Sequence, residues 1–291
     1  TVSLNDAGIH TLLTNGKFQG NNSKGGEMQA QASFALLPLL HTDKRESALV
    51  IGYGTGMTAH VLHEQGFKQL HVAELSRDLV RLADKYFAEI NGGVASKPNV
   101  SMHIADGRNY LLTQSSRYDL ISIELTSIWF AGAANLYNKD FYELARTRLN
   151  KGGVLQQWVQ MHHMSEIDIL YIIGSIRSVF DNVWIYYSGG QGIIVASDGP
   201  RVLENDPAHA LLDQSLSGSD FEFNAKGLAD RLVAGPDRVD ALLSGMDPSL
   251  QLLISTDNNL FLEYSTPKGN ALTYDTVPRN LELVGGKGVQ P

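Results

Sequence analysis

Four residues of buried-strand character, Ala48-Leu49-Val50-Ile51, run directly into Gly52-x-Gly54-x-Gly56 and then into a helical stretch beginning at Met57. Glycines at alternate positions between a strand and a helix let the backbone turn tightly and approach a ligand closely. That turn constrains the chain to an α/β arrangement in which ligands gather at the carboxyl ends of the strands. Two acids fall in step with it. Glu74 ends the next strand, 22 residues after Gly52, where a carboxylate can accept both hydroxyls of a ribose. Asp106-Gly107 follows the third strand, where an acid can receive an adenine amino group. Together the three elements describe a nucleoside site at the switch point of a sheet. The competing reading is that the glycines and acids only form turns and cap helices.

The glycine spacing separates nucleosides. Dinucleotide enzymes more often carry Gly-x-Gly-x-x-Gly, whereas here Gly56 is followed by Met57-Thr58-Ala59. This favours the S-adenosylmethionine-binding variant of the doubly wound fold. No Gly-Lys-Ser/Thr follows the loop, which disfavours a triphosphate.

The rest of the chain alternates in the same manner. Strands are expected at Gln69 to Glu74, Val100 to Ala105 and Tyr118 to Glu124, and from Lys151-Gly152-Gly153 through Gln160. Helices are expected at Met57 to Gln65, Arg77 to Glu89, Lys139 to Leu149 and Ser165 to Phe180. Two strands, Asn182 to Tyr187 and Gly192 to Ser197, follow. The order predicts a parallel, doubly wound Rossmann-like sheet of the methyltransferase type with a final antiparallel pair. Before it, residues 1–40 predict a β-hairpin turning at Asn15-Gly16 and a helix from Glu27 to Leu37 stopped by Pro38. The expected division is residues 1–40 as a hairpin and helix region, 41–200 as the nucleoside-binding catalytic domain, and 201–291 as an acidic helical appendage with a last strand at Leu260 to Tyr264.

Composition excludes several functions. The chain has no cysteine, so a disulfide scaffold, a thiolate nucleophile and a sulfur-built metal site are ruled out. A net charge of −8 argues against a nucleic-acid partner. Six of those charges are the balance of ten acids and four bases in residues 198–255, a solvated face more than a substrate funnel. The longest apolar run, Phe34 to Leu40, is too short to cross a bilayer. The absence of cysteine fits a reducing, cytoplasmic setting.

From about Leu12 to Ser197 the sequence resembles the spermidine synthase (polyamine aminopropyltransferase) family. Thr14-Asn15-Gly16-Lys17-Phe18-Gln19 resembles its hairpin, and the helix ending in Leu37-Pro38-Leu39 resembles its Leu-Pro-Leu helix. Tyr118-Asp119-Leu120-Ile121 resembles the strand leading to the catalytic loop, and Leu136-Tyr137 through Phe141-Tyr142 and Gly152-Gly153-Val154-Leu155 match the next helix and strand. Gln157-Trp158 and Ser255-Thr256-Asp257-Asn258 with Leu262-Glu263-Tyr264 are similar to a bacterial subgroup fused to a membrane region. The resemblance therefore implies a membrane segment before Thr1, a small-molecule substrate and a homodimer built through the hairpins. It also implies that Gln19, Glu74, Asp106 and Gly107 hold the thioadenosine part, with Gln31 and the loop Gly52, Gly54, Thr55 and Gly56 beside them. No metal is implied.

Departures from the family gather on the substrate amines. The acid of the glycine loop is Thr55, the loop usually reading Asp-Ser-Ser-Asp is Glu124-Leu125-Thr126-Ser127, and the tyrosine of the first helix is Ala30. Glu124 is the remaining candidate base, with Ser127, Trp129 and Trp158 as candidate pocket residues. A neutral Thr55 would tolerate the carboxylate of intact S-adenosylmethionine, which an aspartate would repel. Three readings stay open at this point: an aminopropyltransferase using decarboxylated S-adenosylmethionine, a methyl or alkyl transferase using the intact form, and a non-catalytic nucleoside-binding domain.

Other residues carry less. His60 and His63 lie one turn apart without a carboxylate constellation. His162-His163 are candidates for the acceptor pocket, and Trp129 and Phe130 for its walls. Tyr53 is expected to pack beneath the sheet, and no Gly-x-Ser-x-Gly elbow supports hydrolase chemistry.

Overall fold

The apolar run before the glycine loop becomes strand β4 (Ser47–Ile51), and both of its faces are buried. Ala48 and Val50 face one hydrophobic cluster while Leu49 and Ile51 face the other, as period-two alternation requires of a strand between two helical layers. The structure is a computed structural model and describes residues 1–24, 26–124, 127–199, 207–217, 223–246 and 254–286.

Parallel strands β5 (Gln69–Glu74), β6 (Val100–Ile104), β7 (Tyr118–Ile123) and β8 (Leu149–Val159) flank β4. Two antiparallel strands, β9 (Asn182–Ser188) and β10 (Gln191–Ser197), complete the expected pair. A short strand that periodicity does not signal, β11 (Leu232–Ala234), adds to β9 and gives the order β11-β9-β10-β8-β7-β4-β5-β6. The chain runs outward from β4 to β6 and then returns to β7 on the other side of β4. The switch point therefore lies between β4 and β7.

Helices α1 (Glu27–Leu36), α2 (Met57–Glu64) and α3 (Arg77–Tyr86) cover one face. On the other lie α5 (Gly107–Thr113), α6 (Lys139–Thr147) and α7 (Glu166–Arg177). Between α3 and β6 the expected long helix breaks at Phe87, and a short α4 (Ala88–Asn91) follows. Ser165 and Asp168 form a reciprocal capping box at the start of α7. That helix buries Ile169, Ile172, Ile173 and Ile176, each contributing about 1.5–3 kcal/mol of burial.

Strands β1 (Val2–Leu4), β2 (His10–Thr14) and β3 (Lys17–Asn21) form a separate antiparallel sheet. Its hairpin turns through Asn15 and Gly16, both at positive φ (51° and 75°), as a two-residue turn of the twisted hairpin type needs. After β10 come α8 (Pro207–Leu216), α9 (Ala225–Ala229) and α10 (Pro236–Ser244). Gly235-Pro236 opens α10 with proline in its first turn. The sequence also carries the pairs Asp206-Pro207 and Asp247-Pro248, of which Asp206, Asp247 and Pro248 lie outside the described residues.

The last strand, expected at Leu260 to Tyr264, is instead helix α11 (Phe261–Ser265), which leads into a 3-10 turn at Thr266–Ala271. Burial recurs at Leu262 and Thr266, and the Thr266 hydroxyl donates to the Leu262 carbonyl at 2.7 Å. The spacing is helical because this segment packs one stripe onto the core. Helix α12 (Val277–Gly285) follows. Among the described residues no helix is long and apolar enough to cross a membrane.

Candidate active site

Register carries the loop residues to one place. Ile51 pairs with Ala73 of β5 and with Ile123 of β7, so Gly52, Glu74 and Glu124 emerge together at the carboxyl edge. The Glu124 amide donates to the Ile51 carbonyl at 2.9 Å, and the Gly52 amide donates to the Ala73 carbonyl at 2.9 Å. Gly52 has φ 94°, and a Cβ there would overlap the Glu124 carbonyl oxygen. Glycine is needed on both counts.

A cleft of about 570 Å³ opens above these ends, within the range that holds a small ligand. Gly52, Gly54 and Thr55 line it from the loop, Glu74 from β5, and Asp106 and Gly107 from the start of α5. Gln19 of β3 and Gln31 of α1 close the N-terminal side. Ser127, Trp129 and Trp158 line the other end with Glu124. Gly56 is the one predicted ligand residue that the structure places elsewhere. It caps α2 at φ 86°, and a Cβ there would overlap the Tyr53 ring, so it shapes the turn from behind.

The carboxylates are held differently. Glu74 is buried and accepts the Tyr53 amide on Oε2 at 3.0 Å and the Ser76 amide on Oε1 at 2.8 Å. Burial raises its pKa, and those amides pull it back. Asp106 caps α5, its Oδ1 accepting the Asn109 amide at 2.9 Å. The capping reading of this acid is thus true and compatible with its position in the cleft.

Glu124 is half-buried, and among the described residues its Oε1 has no hydrogen-bond partner. Burial pushes its carboxyl up to about 8; the Thr58 hydroxyl opposes that rise and the charge of Glu27 adds to it. A carboxyl in this range is a general base matched to neutral pH. Leu125 and Thr126 lie outside the described residues, and Ser127 is buried.

The far end is aromatic. Trp129 stands 6.3 Å from His162 and 6.1 Å from His163, centroid to centroid. Burial and the neighbouring His163 lower the pKa of His162, with Asp275 opposing. The Trp158 indole donates to Gln191 at 2.9 Å, and Asn270 of the C-terminal 3-10 turn completes the wall. The loop after Glu124 is braced from the C-terminus. Asp257 receives Arg108 through two bonds of 2.7 and 2.6 Å and Asn138 at 2.7 Å, while Glu263 accepts the Gly132 amide at 2.9 Å. Tyr53 is buried and donates to Asp84 at 2.8 Å. His60 packs against Gly92, away from the cleft.

One acid in the cleft escaped the sequence reading. Glu27, in the first turn of α1, lines the pocket and accepts the Gln31 side-chain amide at 2.9 Å. The available signal was its place four residues before Gln31, on the same helical face.

The family model described as spermine/spermidine synthase domain matches residues 27–199. The polyamine aminopropyltransferase of Nitrosomonas europaea is 32% identical over 149 residues, covering 51% of this chain and 45% of that protein. The chain spans a little under half the length of the first curated relatives it matches. A spermidine synthase crystallised with the transition state analogue AdoDATO superposes with TM-score 0.68 at 19% identity, covering 83% of each chain. Human methyltransferase-like protein 13, crystallised with SAH, superposes with TM-score 0.51 at 17% identity over 69% of this chain and 95% of that one. The fold is the Rossmann-like one of these methyltransferase-type enzymes, and the chain belongs to the spermine/spermidine synthase family.

Proposed function

We propose that this chain transfers an aminopropyl group from decarboxylated S-adenosylmethionine to an amine acceptor, with Glu124 as the base. The carrying observation is the Glu124 carboxyl, raised to about 8, with an Oε1 that has no partner among the described residues, in the same cleft as Glu74 and the glycine loop. Membership of the family supports the reaction class, as does likeness to a spermidine synthase that holds AdoDATO.

The residues fit the donor. Each Glu74 oxygen accepts one backbone amide and keeps a second lone pair for a ribose hydroxyl. Asp106 uses Oδ1 as a cap, leaving Oδ2 for the adenine amino group. The glycine loop then passes beneath the ribose, and the sulfonium substituent extends over Thr55 toward Glu124.

The acceptor nitrogen attacks the aminopropyl carbon bonded to the sulfonium. A C–N bond forms as the C–S bond breaks, the electron pair goes to sulfur, and neutral methylthioadenosine leaves. Glu124 takes the proton that the nitrogen sheds. Holding the partners in line is worth on the order of 7–11 kcal/mol at ideal geometry, and the base adds roughly 10²–10⁴-fold.

Replacing Glu124 separates binding from chemistry. E124Q is expected to keep methylthioadenosine affinity in calorimetry and to lose transfer by about 10²-fold or more. Unchanged transfer in E124Q contradicts the assignment.

A further inference from the structure

Three side chains link the start of α1 to the glycine loop. Glu27 Oε1 accepts from Gln31 Nε2 at 2.9 Å, and Gln31 Oε1 accepts from the Thr55 hydroxyl at 2.5 Å. Gly20 of β3 packs against all three, since a Cβ there would stand 3.0 Å from Gln31 Nε2, 3.1 Å from Thr55 Cγ2 and 3.5 Å from Glu27 Oε1. Gln31 and Thr55 are buried and Glu27 is half-buried, and all three line the cleft.

The relay has a direction. An ionised carboxylate only accepts, so the Gln31 amide must turn its NH₂ toward Glu27. That leaves the Gln31 oxygen facing Thr55, and the Thr55 hydroxyl must spend its single hydrogen there. Toward the cleft Thr55 then offers lone pairs alone. It can accept from an ammonium and has nothing to donate to a carboxylate.

We propose that Glu27 is the residue that selects the donor, by fixing the orientation of Gln31 so that the Thr55 hydroxyl presents only acceptor lone pairs to the primary amine of the sulfonium substituent. The proposal rests on the nucleoside reading above and deepens it. A neutral residue at position 55 is not by itself tolerant of the intact amino acid, because the polarity of its hydroxyl is set from α1. The carboxylate of Glu27, lining the same cleft, adds attraction for the amine and repulsion for a carboxylate.

Substituting Glu27→Gln removes the direction. The amide introduced at position 27 can donate to a flipped Gln31, whose NH₂ then faces Thr55 and frees the threonine hydroxyl to donate into the cleft. Three probes titrated by calorimetry test this: decarboxylated S-adenosylmethionine, intact S-adenosylmethionine, and the dimethylsulfonium analogue of methylthioadenosine, which has the sulfonium but no amine. The wild type is expected to bind the decarboxylated form at least about tenfold more tightly than the intact one, the scale of one charged hydrogen bond. In E27Q that ratio is expected to fall toward unity, with dimethylsulfonium affinity held. T55V, lacking the hydroxyl, is expected to weaken the decarboxylated form without improving the intact one. An unchanged ratio in E27Q, with all three probes bound, overturns the role of Glu27 alone. Failure of the wild type to bind any probe overturns the nucleoside reading and this proposal with it.

Discussion

The backbone of Gly52 lies so close to the carbonyl oxygen of Glu124 that a Cβ at residue 52 would overlap it. The two residues leave adjacent parallel strands, one entering the nucleoside loop and the other carrying the candidate base. The glycine loop and the candidate base are thereby fixed against each other by backbone, before any side chain contributes. A switch point makes this geometry available, because loops from β4 and β7 diverge there and leave a crevice between them.

Gly52→Ala is expected to lower stability, since strain at φ 94° costs about 1–3 kcal/mol and the overlap must be relieved by moving Glu124. Urea unfolding measures the loss, and transfer activity should fall with it. Wild-type stability in G52A would refute the contact.

The base also predicts a pH profile. Glu124 must be ionised to accept a proton, and its carboxyl titrates near 8. The log of kcat/KM is expected to rise with pH up to about 8 and then level, and E124Q should lack that limb. A profile flat from pH 6 to 9 contradicts the role.

The same shift predicts a stability effect. The folded-state pKa lies above its ordinary value of 4.5, so between the two the unfolded chain has released a proton that the folded chain retains. Stability therefore falls as pH rises across that window. E124Q is expected to melt higher than wild type at pH 7.5, with the gap closed at pH 4, where both side chains are uncharged. Equal melting temperatures at pH 7.5 would count against a carboxyl that burial has raised to about 8.

Glu74→Ala removes the acceptor of two backbone amides together with the proposed ribose contact. Methylthioadenosine affinity is expected to fall by about 10–100-fold, and the melting temperature should fall as well. Calorimetry and thermal melts check the two effects separately.

Much of this site is legible in the chain because its parts are local. A buried run before Gly52-x-Gly54-x-Gly56 dictates strand, turn and helix, and acids at strand ends follow from register. Gly56 shows the limit of the motif: its positive φ is needed for the turn, while a Cβ there would meet Tyr53, and the residue does not line the cleft. Three-residue β11 is too short to show alternation, and α5 is hidden because Asp106-Gly107 reads equally well as a ligand turn. The segment Leu260 to Tyr264 carries an apolar run that fits either period, and its packing selects the helix. Glu27 acquires meaning through Gln31 and Thr55, a relay spanning two elements distant in sequence. Of the far wall, Trp129 and His162 are legible as pocket candidates, whereas Asn270 meets them only in the folded chain.

The most direct measurement is product identity. Wild-type protein incubated with decarboxylated S-adenosylmethionine and a panel of primary amines, followed by chromatography and mass spectrometry, should yield methylthioadenosine and an aminopropylated amine in equal amounts. S-adenosylhomocysteine formed from the intact donor, with no methylthioadenosine from the decarboxylated one, would contradict the account.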